Sequence, residues 1–303
     1  RALKSGRSMT LGVVLAGSGL FELPRVLLGM EQAASEAGYG VALARWQGRE
    51  SEPLEHAIGR VTDRGADGVI VIADRPVAVD VLEEIRVRSP LTVVMSGDVA
   101  NPSVGSVEID QRLGARLVTQ HLIDLGHTEI LHISGRLDTF DARARVAGWT
   151  QSMHDAGLEA GEVIEGDFTP ERGHQIGEEL AHRGRHPTAV FAANDIVALG
   201  VMASFAESGL RVPQDVSVVG FDDMPGAAYF VPALTTVRQD HLALGRRAVD
   251  VLLGMITGEE PRHHLIEPTL VVRHSTGPVG HDARRPPAEA RRVASPPSTQ
   301  GID

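Results

Sequence analysis

Ser217 to Asp240 reads SVVGFDDMPGAAYFVPALTTVRQD. Val216 to Gly220, at its start, is a short apolar run closed by Gly, the pattern of a parallel strand covered on both faces. The acidic pair Asp222-Asp223 follows at once. In open α/β sheets, ligands sit outside the carboxyl ends of the strands, so carboxylates placed there face a cleft and not a core.

Upstream of this stretch, strands alternate with helices. Leu11 to Ala16 predicts a first strand, followed by a Gly/Ser turn and a helix from about Pro24 to Gly38, with Pro in the first turn where its missing N–H is harmless. Strands at Val41 to Ala44, Gly68 to Ile72 and Leu91 to Met95 alternate with helices over 52–64 and 77–87. After the Asn101-Pro102 turn a second series opens with a helix over 111–125, where Leu113, Leu117, Val118, Leu122 and Leu125 recur at helical spacing before Gly126. Strands at 130–134, 163–164 and 189–192 then alternate with helices over 141–156, 171–181 and 194–208. Past Thr236 come a helix over 242–256 and a last strand, Leu265 to Val272.

This order predicts an α/β fold of two doubly wound parallel-sheet subdomains. Residues 9–109 with 238–264 make the N-terminal one, and 110–237 with 265–278 the C-terminal one. The chain crosses between them near Ile109, Val237 and Pro268. A multi-strand hinge of that kind makes a closable cleft. Past Gly280 the composition shifts to Arg, Pro, Ala and Ser without apolar periodicity, so 279–303 reads as a disordered tail.

Composition narrows the function. At 303 residues, with 42% hydrophobic and 23% charged side chains, the chain falls among ordinary globular proteins of two domains. No apolar run approaches the ~18 residues that span a bilayer, and Leu11 to Ala16 is too short for a secretory core. A cytoplasmic location is the default expectation. The absence of cysteine excludes disulfides, thiolate catalysis and cysteine-ligated metal sites. Of the net charge of −11, residues 1–8 carry +3 and residues 281–303 carry +1, leaving −15 for the body. Phosphate backbones repel such a body, because sequence-independent nucleic-acid affinity comes mainly from Lys and Arg.

The candidate ligand contacts follow from residue type and place. Asp222, directly past a strand end, suits a polyol, since a buried carboxylate accepts two hydroxyl protons; Asp223 reads as structural. Arg145 sits in the first turns of a helix after a strand, and its rigid fork of donors fits vicinal hydroxyls or a carboxylate. A surface salt bridge is the commoner fate of such a residue. Asn194-Asp195 opens a helix, so one of the pair is a cap. Gln239 lies just past the second crossover, within reach of the hinge side of the cleft. Phe168 as a lone aromatic reads more often as core. Enzyme motifs are absent: Gly17-Ser18-Gly19 lacks the third Gly of a dinucleotide loop, with Glu22 in its place, and neither GxxxxGK[ST] nor G-x-S-x-G occurs. The 13 histidines lack metal-site spacing and read as surface or packed residues, so neither metal nor cofactor is expected.

Several segments together resemble the lactose-repressor/galactose-repressor family of bacterial transcription regulators. The Pro-Ala-Leu-Thr-Thr-Val-Arg-Gln-Asp end of the opening stretch carries the resemblance, with ARLVTQHLIDLGH (115–127), TAVFAANDIVALG (188–200) and VVRHSTGP (271–278). It extends from about Arg7 to Pro278. His274 departs from the family's more usual Glu. The fold it implies is the type I periplasmic-binding-protein-like one. It also implies that Arg145, followed by two small or apolar residues, Gly and an aromatic, is the effector-contacting arginine. Asp141 then falls at a polar ligand contact, unless it is only a helix N-cap. Phe168 falls where an aromatic covers the effector ring, Asn194 where an amide contacts it, and Phe21 and Leu23 at apolar contacts from the opposite lobe, for which a packed loop is an equal reading.

The resemblance implies an effector-sensing domain that binds a small ligand, a sugar above all, and couples it to operator DNA as a homodimer. The start RALKSGRSMT resembles the link to a helix-turn-helix headpiece, with residues 1–8 as its remnant. No helix-turn-helix precedes it, so the sequence reads as truncated, and the basic DNA-binding surface is expected in the missing headpiece. The alternative is the sugar-binding component of a transporter, which shares the two-lobed fold. An enzyme comes a distant third.

Overall fold

A computed structural model describes residues 7–16, 22–46, 53–75, 89–94, 102–183 and 186–279. The expected helix over 77–87, residues 1–6 of the expected linker and residues 280–303 of the expected tail lie outside them.

The first lobe is a six-stranded parallel sheet in the order β11-β5-β4-β3-β1-β2. Its strands are β1 (Thr10–Ala16), β2 (Gly40–Arg45), β3 (Gly68–Ala73), β4 (Leu91–Val94), β5 (Gly105–Ile109) and β11 (His263–Ile266). Helix α1 (Leu23–Glu36) and helix α7 (His241–Ile256) cover one face, and α2 (Leu54–Thr62) packs on the other. The chain returns to this lobe for α7 and β11 after building the second. β3 is buried at every position, as an apolar run between two helical layers must be.

The second lobe is a four-stranded parallel sheet, β7-β6-β8-β9. It comprises β6 (Ile130–Ser134), β7 (Val163–Glu165), β8 (Ala189–Ala192) and β9 (Ser217–Val219), with helices α3 (Gln111–Asp124), α4 (Phe140–Asp155), α5 (Pro170–Ala181) and α6 (Asp195–Glu207). Separate cores fill its two faces, one around Phe205 and Val218, the other around Trp149 and Phe191. A two-stranded antiparallel ribbon, β10 (Thr236–Arg238) with β12 (Thr269–Val271), lies beside the β9 edge of the second sheet, bridged at Val219–Thr235 and Asp222–Arg238.

In each lobe a helix pair touches backbone to backbone through reciprocal glycines. A Cβ on Gly29 of α1 would overlap the Leu242 carbonyl of α7, and one on Gly245 of α7 the Val26 carbonyl of α1. Gly173 and Gly200 make the same reciprocal contact between α5 and α6.

Two sequence expectations need correction. Gly105–Ile109 is a buried central strand, β5, that Gly105, Ser106 and Glu108 disguise by interrupting its apolar pattern. Gly105 is required there, because a side chain would meet Val251 at 2.7 Å. The single strand expected over 265–272 is two strands, broken at Glu267-Pro268. Leu265 and Ile266, expected in the C-terminal subdomain, pair with Glu108 and Ile109 of the first sheet. Proline cannot donate to a ladder, so the chain changes partner there.

Candidate functional site

The two lobes enclose a cavity of about 450 Å³. Its second-lobe wall begins where β9 ends. Asp222 and Asp223 both hold positive φ, 109° and 51°, a conformation that costs a non-glycine residue about 1–3 kcal/mol. Their surroundings enforce it: the Asp222 amide donates to the Val237 carbonyl at 2.8 Å, while Asp223 accepts from Arg273 Nη2 at 2.6 Å and Arg238 Nε at 2.7 Å. Burial raises the Asp223 carboxyl, but these two guanidiniums hold it below the usual carboxylate range. The kink sends the carboxylates apart, so Asp223 locks the loop and Asp222 lines the cavity.

Arg145 stands opposite on α4 and is only 4% exposed. Its Nε donates to Gln111 Oε1 at 2.9 Å and its Nη1 to the Ala193 carbonyl. Its Nη2 lies 3.6 Å from Asp222 Oδ1 and 3.8 Å from Asp141 Oδ2, and the guanidinium covers the Phe221 ring at 3.9 Å. Gln111 Nε2 donates to Gln239 Oε1, and Gln239 Nε2 to Asp222 Oδ1, both at 2.6 Å. Arg145, Gln111, Gln239 and Asp222 therefore close into a ring. Gln111 opens α3 just after β5, and Gln239 follows β10, so both amides come from crossovers between the lobes. The ring ties the hinge to the site.

Burial pushes the Asp222 carboxyl up to about 7, Arg145 opposing and Glu22 and Asp141 adding repulsion. Behind the wall, burial and the Asp222 charge push Asp195 up to about 8, against hydrogen bonds from Thr236 Oγ1 and the Met224 amide. A carboxylate near the midpoint of its titration responds to any donor a ligand brings.

Phe168, also at positive φ (66°), follows β7 and packs its ring against Gly135, where a Cβ would overlap it. Asn194 caps α6, its Oδ1 accepting from the Val197 amide at 2.8 Å, and its side chain still lines the cavity. The first-lobe wall is richer in apolar side chains: Leu23, Val26, Ile72, Val94, Ile109 and Leu244 line it, with Glu22, Asp74, Glu108 and His241 set among them.

Leu23, Asp141, Arg145, Phe168, Asn194, Asp222 and Gln239 all line this cavity; Phe21 lies outside the described residues. Asp141 is not the helix cap: Thr139 is, accepting from the Ala142 amide. Sequence reasoning missed Gln111, Glu22 and His241. Gln111 had the same signal as Gln239, a polar side chain immediately past a crossover. His241, read with the other histidines as surface or packed, is a cavity-lining residue. Among the described residues, no group of three or more His, Asp or Glu is arranged to hold a metal ion. No helix there is long and apolar enough to cross a membrane.

The periplasmic binding protein-like domain family matches residues 119–276. The HTH-type transcriptional repressor PurR of Haemophilus influenzae (strain PittEE) is 32% identical over 284 residues, covering 91% of this chain and 83% of the repressor. PurR of Escherichia coli O1:K1 / APEC is 31% identical over 282 residues, covering 91% and 82%. Among solved structures, the lac repressor dimer bound to operator and the anti-inducer ONPF superposes with a TM-score of 0.81 at 30% identity, covering 91% of this chain and 96% of that one. The complex of the transcriptional regulator CelR with cellobiose gives 0.79 at 31% identity, covering 89% and 85%. A two-lobed α/β chain with a polar ring in its interlobe cavity, similar to these repressors over nine-tenths of its length, belongs to the lactose-repressor/galactose-repressor family of transcription regulators.

Proposed function

We propose that the chain is the effector-sensing domain of a transcriptional repressor and that its cleft takes a small hydroxylated ligand of the sugar class. One observation carries this reading: the ring of Arg145, Gln111, Gln239 and Asp222 on the wall of an interlobe cavity of about 450 Å³. A cavity of that size suits a small molecule, and a few fixed polar groups set against an apolar wall are how such sites orient one. Asp222 accepts hydroxyl protons, Arg145 donates, Asn194 caps its helix with one end and offers its amide donors, and Phe168 covers the apolar face of the ring. The cellobiose bound by CelR supports a sugar. Catalysis is not part of this reading, since the relatives are repressors.

The ligand acts by population shift. Contacts to both lobes favour the closed arrangement, and the effect is limited by the difference in affinity between the two states. Because Gln111 and Gln239 come from the crossovers, closure alters the hinge directly. A homodimer in the cytoplasm, its subdomains 9–109 with 238–267 and 110–237 with 268–278 rearranging at the Pro268 break, transmits the change to operator DNA through a helix-turn-helix headpiece. The body, at −15, does not contact the phosphates. Calorimetric titration with a panel of neutral mono- and disaccharides tests the site. A sugar that binds is expected to lose its affinity in Arg145→Ala and Asp222→Ala; affinity indifferent to both substitutions rejects it.

A further inference from the structure

The cavity is acidic beyond the needs of a neutral sugar. Among the described residues, six carboxylates, those of Glu22, Asp74, Glu108, Asp141, Asp167 and Asp222, line it against two guanidiniums. Both guanidiniums are engaged: Arg145 in the ring, and Arg136 by Asp138 through contacts of 3.2 and 2.7 Å. Among the described residues, an anionic ligand meets no unpaired cation there.

Glu22 differs from the other carboxylates. It is 8% exposed, stands beside the apolar Leu23 and Val26 of the first-lobe wall, and its carboxylate accepts no hydrogen bond among the described residues. Its neighbours are Arg25 Nε at 3.9 Å, on a half-exposed side chain, and His241 Nδ1 at 3.8 Å. That Nδ1 is itself buried and has no hydrogen-bond partner, on a residue 9% exposed that also lines the cavity. Burial, with the charges of Arg25 and Arg145, pushes His241 down to about 4, so the imidazole is neutral and one ring nitrogen accepts. Burial pushes Glu22 upward, more than Arg25 lowers it. Buried acceptors without donors are costly, a charged one most of all.

We propose that Glu22 and His241 form a subsite for a protonated amine, and that the effector is a small hydroxylated molecule bearing an ammonium group, of the amino-sugar class. This rests on the reading of the cleft as the effector site. Two acceptors 3.8 Å apart are satisfied by one group that donates two protons. A hydroxyl donates only one; an ammonium donates both and brings the charge Glu22 lacks. The second-lobe ring then holds the hydroxyls while the first-lobe wall selects the amine.

The test is calorimetry of the chain with matched triplets on one skeleton: D-glucose, D-glucosamine and D-glucose 6-phosphate, then D-galactose, D-galactosamine and D-galactose 6-phosphate. In at least one triplet the amine is expected to bind about tenfold more tightly than its parent, as a charge-assisted hydrogen bond gives, and the phosphate most weakly. Glu22→Gln, nearly isosteric and checked for folding by its thermal melt, is expected to erase the preference; should it fail to fold, the native triplets alone decide. Amines that bind no more tightly than their parents, or not at all, overturn the inference, as does a preference that survives in folded Glu22→Gln. Neutral sugars whose binding requires Arg145, with no preference for the amine, leave the cleft reading standing and remove only this subsite. Amine binding indifferent to Arg145→Ala removes the cleft reading as well.

Discussion

The two walls of the cleft are built on opposite principles. On the second lobe every polar group of the ring is tied to another: Arg145 is fixed by Gln111 and the Ala193 carbonyl, and Asp222 by Gln239. On the first lobe the wall is richer in apolar side chains, and two of its polar ones, Glu22 and His241, face each other at 3.8 Å without a hydrogen bond. A preorganised wall loses little freedom when a ligand arrives, so it supplies affinity. A wall with unsatisfied groups gains most from the one ligand that satisfies them, so it supplies discrimination and a reason to close. The contrast is also why the second lobe tolerates strain at Asp222, Asp223 and Phe168: tight packing and ion pairs hold those residues at the edge of the cleft.

Arg145→Ala attacks the tied wall at its centre and is expected to have the largest effect. It leaves Asp222, the Gln111 amide oxygen and the Ala193 carbonyl short of a buried partner, and breaking a buried pair costs about 3–5 kcal/mol. Chemical denaturation should show that loss together with loss of sugar binding; a variant as stable as the parent would mean that the ring is not cohesive. Gly245→Ala forces α7 away from the Val26 carbonyl on α1 and is expected to cost about 1–3 kcal/mol by overpacking, read as a lowered denaturation midpoint. Gly135→Ala pushes Phe168 off its seat and should weaken sugar binding about tenfold through lost ring stacking while leaving the Arg145 contacts intact.

Two effects of pH sharpen the contrast further. Asp222 titrates at about 7 in the empty cleft, and a ligand that donates to its charged form lowers that value. Binding at pH 7 is therefore expected to release on the order of half a proton, seen as a dependence of the calorimetric enthalpy on the buffer's ionisation heat, and affinity should rise from pH 6 to pH 8. Asp195, at about 8 in the folded chain, keeps its proton over a range where the unfolded chain, titrating near 4, has lost it. Its contribution is fully present below about pH 4 and fades as the pH rises to about 8. In Asp195→Asn that decline should be missing from denaturation curves taken across the same range. The least effect is expected from Leu23→Ala on the apolar wall: a half-buried residue loses about 1 kcal/mol or less of ligand contact.

Much of this is legible in the sequence. The alternation of apolar runs with amphipathic stretches marked the doubly wound lobes, because strands buried on both faces are continuous in apolar residues. β5 was not legible, since Gly105, Ser106 and Glu108 serve a helix contact, a hydrogen bond to His263 and the cavity instead of an apolar pattern. The β11 to β12 break was also missed, although Pro268 signalled it. At the site, Asp222 and Arg145 stood out by type and by position past strand ends. Gln111, Glu22 and His241 did not, because their importance lies in partners that are distant in sequence: Gln239 is 128 residues from Gln111.

The central claim is that the tied wall holds the effector by its hydroxyls. A crystal structure of the chain soaked with the tightest-binding sugar of the panel tests it most directly. The account predicts ring hydroxyls within hydrogen-bonding distance of Arg145 and Asp222, with Phe168 across the sugar's apolar face. A sugar bound elsewhere, with the ring of Arg145, Gln111, Gln239 and Asp222 undisturbed and the cleft empty, would contradict it.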